Sequence, residues 1–170
     1  MILHHLRIQQ TRNSTRGVLL KHDLKVEDHI DWVCEILEDG YRELKNKDTH
    51  GLVRIDAAMY EIVPIQYGKF YDPKSDFLFA IALMDKKGVD RAGRHGNVRV
   101  HKGGTVKDTD GCPLTAIRVD YDPAQKNFFV VSGSSTPAFL RLYNALLPIY
   151  DRETNSFKEP AFWKISEQFV

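Results

Sequence analysis

Between residues 52 and 133 the chain alternates short runs rich in Val, Ile, Phe and Tyr with clusters of turn-forming residues. The runs are LVRID, MYEIVPIQY, DFLFAIALM, NVRVH, TAIRVDY and NFFVVSG; between them stand YDPKSD, DKKGVDRAGRHG, KGGTVKDTDGCP and DYDPAQKN. β-Branched and aromatic side chains suit a pleated, half-buried surface, and Gly, Pro, Asp and Asn suit the reversals between strands. Short connections favour antiparallel neighbours over parallel crossovers. The pattern predicts an antiparallel meander, with Pro64 at an edge or a bulge.

The flanks add other elements. ILHHLRI and VLLKHDL, joined by QQTRNSTRG, read as a hairpin, and residues 1–22 carry Arg7, Arg12, Arg16 and Lys21 without an acid. Over 25–46, Ile30, Val33, Cys34, Leu37, Tyr41 and Leu44 recur at helical spacing and predict an amphipathic helix. Its opposite face is acidic, with Glu27, Asp28, Asp31, Glu35, Glu38, Asp39 and Glu43. A second helix is expected over 137–147, with Thr136 as N-cap, Pro137 at the first helical position and Pro148 as the stop. The aromatic tail EPAFWKISEQFV is expected to dock on the body. Together these predict one α+β domain over 1–170, an antiparallel sheet of about five to seven strands packed against two main helices.

A hydrophobic fraction of 42% excludes a wholly disordered chain, and a net charge of +1 leaves any preference for nucleic acid to local patches. The longest apolar run, FLFAIALM, is far short of a membrane helix, and the N-terminus lacks the layout of a secretion signal. The expected location is the cytoplasm. Of the two cysteines, Cys34 falls on the apolar stripe among carboxylates, an environment that raises a thiol pKa, and Cys112 falls in a turn after DTDG. No Cys-x-x-Cys zinc pattern or Walker loop is present, and no metal or cofactor is implied.

The densest concentration of charge and glycine is RAGRHGNVRVHKGG, residues 91–104. Strand alternation puts Arg99 and His101 on one face, with Arg94 and His95 before them and Lys102 after. Arginine forks fit phosphate, and glycines let a backbone approach an anion. SGSST opens the second helix, so Ser134, Ser135 and Thr136 add hydroxyls beside free backbone N–H groups.

The expected function is binding of a phosphate-bearing ligand, nucleic acid or nucleotide, through Arg12, Arg16, Arg94, Arg99, His101, Lys102 and the three hydroxyls. An alternative is a protein-interaction or assembly protein, of viral or mobile-element type. There the acidic segment 27–43 and the basic strand of neighbouring copies, or of a protein partner, would meet face to face. A third reading is a metal-independent ribonuclease with His95 or His101 as acid and base.

Overall fold

The computed structural model describes residues 1–22, 30–40, 55–68, 70–84, 98–109 and 111–169. Arg94, His95, Glu27, Asp28 and Glu43 lie outside the described residues. The chain begins with a hairpin of β1 (Ile2–Gln10) and β2 (Ser14–His22), whose turn is fixed by Thr11 Oγ1 accepting from Asn13 N and Ser14 N at 3.2 and 3.0 Å. β3 (Ile30–Asp39) pairs antiparallel with β2, with a bulge at Leu19–Leu20. β4 (Met59–Ile65), β5 (Ala80–Met84) and β6 (Val98–Val100) form a meander, and β7 (Leu114–Ala116) adds to the far side of β3.

Two further hairpins follow the same rule of short returns: β8 (Val119–Asp122) with β9 (Asn127–Val130), and β10 (Tyr150–Asp151) with β11 (Ser156–Phe157). Between them runs α1 (Ser135–Leu146), and β12 (Phe162–Glu167) ends the fold. The large sheet has the order β6-β5-β4-β12-β1-β2-β3-β7. Its two edge strands meet just past β6, where His101 forms a parallel bridge to Leu114. The result is a nearly closed, eight-stranded, barrel-like mixed sheet, an arrangement that leaves little unpaired edge.

This overturns the expected sheet on two main helices. The predicted helix 25–46 is a strand over Ile30–Asp39. Its helical spacing lost to pairing on both sides, with nine β2 partners from Ser14–Asp39 to His22–Ile30 and three in β7. Val33, Cys34, Ile36, Leu37, Glu38 and Asp39 are all buried, so both faces are covered and no simple alternation marks the strand. The expected acidic helix face at 27–43 therefore does not form across the described part. The all-antiparallel expectation fails once as well, because the tail enters the sheet as β12, parallel to β1.

α1 is the single α-helix among the described residues. Ala138, Phe139, Leu142, Tyr143 and Leu146 make its buried stripe and share one apolar cluster with Leu3, Ile36, Val98, Val100 and Trp163 of the sheet. Pro64 sits inside β4 without loss. Ile62 N bonds toward Ala161 O, so the proline nitrogen two residues on faces the same side, past the last β12 pair at Glu61–Phe162. No helix among the described residues is long and apolar enough to cross a membrane.

The interior of β1 carries Leu3, His5 and Arg7, all fully buried on alternate positions. Arg7 donates Nε and Nη2 to the Glu38 carboxylate at 2.8 and 2.9 Å, Nη2 to Ile55 O at 2.6 Å, and Nη1 to Glu167 at 3.4 Å. His5 Nε2 lies 3.6 Å from the same Glu38 carboxylate. The paired carboxylates hold the Arg7 pKa above its ordinary value against the opposing cost of burial. Arg7 thus belongs to the core.

Candidate active site

The barrel seam is where the sequence's turn-rich stretch 102–113 returns to the sheet. His101 N donates to Pro113 O and Thr115 N donates to His101 O, both at 3.2 Å. One step back along the same two segments, Arg99 N donates to Cys112 Sγ at 3.3 Å. Residues paired across a parallel bridge share a face, and alternate residues keep it. His101 and Cys112 are thereby set on neighbouring segments, although eleven positions separate them in sequence.

Each side chain is held by named contacts. The His101 imidazole stacks on Phe70, centroids 4.1 Å apart and planes 12° from parallel. Its Nδ1 lies 2.8 Å from Lys102 O. A carbonyl can only accept, so Nδ1 carries a proton in this contact, and Nε2 is buried. Cys112 is half-buried and forms no disulfide. Its turn is tied by Thr109 Oγ1, which accepts from Cys112 N at 2.6 Å and donates to Cys112 O at 2.8 Å, with Gly111 at φ 92° supplying a left-handed position. Asp108 Oδ2 accepts from Gly104 N at 2.7 Å and Thr105 N at 2.8 Å, clamping the intervening loop. The Thr105 and Gly104 N–H groups hold its carboxyl below the usual range.

Besides its N–H bond, Arg99 brings a cation whose charge interacts with the cysteine. That guanidinium is packed 5.5 Å from the Tyr67 ring, and burial lowers its pKa while Tyr67 and Cys112 raise it. Cys34 is the internal contrast. It is fully buried, and desolvation pushes its thiol up to about 12, with Arg141 lowering and Glu35 raising it.

A cavity of about 260 Å³ borders the imidazole. Phe70, Phe77, Phe79 and Phe139 wall it, with His101 and Lys102 at its rim, and Lys102 Nζ sits 5.7 Å from the Phe77 centroid. A separate open cleft of about 1100 Å³ lies between the β1–β2 turn, the β8–β9 hairpin and the tail. Arg12 and Arg16 line it together with Tyr121, Phe128 and Phe169. Its acids are already matched, Asp120 to Arg118 at 2.8 Å and Glu167 to Arg7 at 3.4 Å. Arg16 is likewise paired with Glu35, which leaves Arg12, exposed, as the uncompensated charge among the described lining residues.

The expected ligand-binding set is therefore divided. Arg12 and Arg16 share the cleft. His101 and Lys102 share the aromatic cavity and meet the helix start, where Ser135 Oγ accepts from Gly103 N at 3.1 Å. Ser134 Oγ donates to Arg118 O at 3.2 Å, and Thr136 is exposed on the first turn. Arg99 is only 7% exposed and its Nη1 has no hydrogen-bond partner among the described residues. Arg94 and His95 fall outside the described residues. Cys112 was missed because a cysteine in a turn reads as a linker residue. The available signal was a histidine ending one strand run and a cysteine near the end of the turn cluster before the next.

Among the described residues, no three His, Cys, Asp or Glu gather to hold a metal ion. No protein-family model, curated protein or solved structure matches the chain.

Proposed function

We propose that the chain is a thiol-dependent acyl-transfer enzyme, with Cys112 as nucleophile and His101 as general base. The observation that carries this reading is the seam itself. Along it Arg99 N donates to Cys112 Sγ and the Arg99 charge interacts with the cysteine, while His101, two residues further on, has Nδ1 at 2.8 Å from Lys102 O. His101 Nε2 takes the thiol proton as Sγ attacks an amide or ester carbonyl. The protonated imidazole then gives that proton to the leaving amine or alcohol, leaving a thioester on Cys112. Water or a second amine attacks the thioester, Nε2 receives its proton, and the thiol is regenerated.

The test is alkylation by iodoacetamide across pH, read by peptide mass spectrometry, together with turnover of p-nitrophenyl acetate. Cys112 is expected to react at pH values where a free thiol, with a pKa of about 8.5, is still protonated. His101→Ala should shift that profile upward, and Cys112→Ala should abolish ester turnover. A profile that matches a free thiol and ignores the histidine substitution would overturn the assignment.

The uncompensated Arg12 beside exposed Tyr121 and Phe169 favours a second reading, in which the cleft binds a phosphate-bearing ligand such as single-stranded nucleic acid. Fluorescence polarisation of a labelled oligonucleotide tests it. A logarithmic salt slope of about −0.7 per phosphate contacted, lost in Arg12→Ala, supports this reading. No binding at low salt removes it.

A further inference from the structure

The cavity walled by Phe70, Phe77, Phe79 and Phe139 encloses about 260 Å³, just below the ~300–1,000 Å³ of sites for drug-sized ligands, and suits a molecule the size of one amino acid. Cys112 is not among its lining residues, so occupying it does not involve the thiol. Phenyl walls offer apolar faces and no hydrogen-bonding group, which favours an apolar side chain between them. The charges come from the rim. Lys102 is exposed, its Nζ lies 5.7 Å from the centroid of the Phe77 wall, and it has no carboxylate partner among the described residues. Asp72 is the acid of the same cavity. Its turn is tied by Ser75 Oγ donating to Asp72 O at 2.7 Å and by Lys74 N donating to Asp72 Oδ1 at 2.9 Å, while Oδ2 has no partner among the described residues.

The remaining polar groups of the lining are already engaged or enclosed. Ser75 Oγ also accepts from Phe77 N at 3.3 Å. The His101 Nδ1 lies 2.8 Å from Lys102 O, and its Nε2 is buried. One ammonium and one carboxylate oxygen are thus left to meet a ligand, and they border the same apolar space without pairing with each other. Opposite charges on a small apolar cavity are complementary to a zwitterion with an apolar side chain. We infer that this cavity binds a free α-amino acid whose side chain is aromatic or large and aliphatic. The side chain enters among the phenyl rings, the α-carboxylate pairs with Lys102 and the α-ammonium pairs with Asp72.

Ligand-observed NMR titrations of the full chain test this with L-phenylalanine, L-alanine, 3-phenylpropionate and phenethylamine. L-Phenylalanine is expected to bind roughly tenfold tighter or more than L-alanine, from burial of the ring. 3-Phenylpropionate lacks the ammonium and phenethylamine lacks the carboxylate. Each is expected to bind roughly two- to fivefold more weakly than L-phenylalanine, the range of an exposed ion pair. The surface substitutions Asp72→Asn and Lys102→Met leave the phenyl walls intact. The first should erase the preference over 3-phenylpropionate alone, and the second the preference over phenethylamine alone. Tightest binding of 3-phenylpropionate or phenethylamine overturns the zwitterion assignment. Equal binding of the three aromatic compounds, preferences untouched by either substitution, or no binding at millimolar concentration overturns it as well.

Discussion

Substituting Glu38→Gln removes the carboxylate that receives two bonds from the fully buried Arg7. The amide turns one acceptor into a donor facing a donor, and leaves a cation in the core. Breaking a buried ion pair from one side costs about 3–5 kcal/mol, because the remaining charge is stranded. Arg7 keeps Ile55 O at 2.6 Å and the 41%-exposed Glu167 at 3.4 Å, which places the expected loss at the lower end, near ~3 kcal/mol. With a urea slope of about 2 kcal/mol per molar, the unfolding midpoint falls by roughly 1.5 M. The double variant Arg7→Met with Glu38→Leu replaces the pair by apolar groups of similar size and should recover to within about 1 kcal/mol of the parent. Urea titrations followed by tryptophan fluorescence measure all three variants. A single-variant shift below about 0.5 M, or a double variant no better than the single, would refute the claim that charge pairing holds β1 to β3.

Gly17 has no room for a side chain. A Cβ there would lie 2.3 Å from His5 Nε2 and 2.7 Å from Leu6 O, so Gly17→Ala should cost about 1–3 kcal/mol and lower Tm by roughly 2–12 °C in a thermal melt. Cys34, with its thiol pushed up to about 12 and fully buried, should stay unlabelled by iodoacetamide in the native protein at pH 8 and react only on unfolding. Asp108 has a depressed folded pKa, so its contribution is present above the ordinary value of 3.8 and is lost as pH falls through the folded value. Asp108→Asn should therefore lower the unfolding free energy from urea titration slightly at pH 6, by under about 1 kcal/mol for so exposed a group, with the gap closing toward pH 2.5. His4 behaves likewise in a higher range. Burial first, then Lys164 and His22, lower its pKa, so the neutral ring's contribution is full above 6.5 and declines as pH falls below it. His4→Gln should flatten that part of the stability profile.

The local signals carried some of the structure and not the rest. The first hairpin, the strand character of MYEIVPIQY and NFFVVSG, and the helix after SGSST each depend on a dozen or so neighbouring residues, where propensity and turn chemistry add up. Segment 30–39 went the other way because helical spacing is a statement about one face. In the barrel, β2 and β7 pair with it on both sides while Glu38 is drawn inward by Arg7. At the candidate site, His101, Lys102 and Ser135 could be read as chemically capable residues. Cys112 could not, since its value comes from Arg99 N and from the seam.

By itself, the sequence marked the strands of its middle and the helix near residue 137, and showed that basic and glycine-rich residues concentrate around 91–104, but it also indicated a helix over 25–46 that forms as a strand over Ile30–Asp39. The tertiary structure alone decided which strands became neighbours, with β12 joining β1 across some 160 residues and the sheet drawing nearly closed at His101–Leu114. Closure also sorted the charges, taking Arg7 and Glu38 inside, packing Arg99 against Tyr67 and leaving Arg12 in an open cleft. The physical reason is range. Propensity acts between residues a few positions apart, whereas burial and pairing are fixed by contacts that exist only once the sheet has curled on itself.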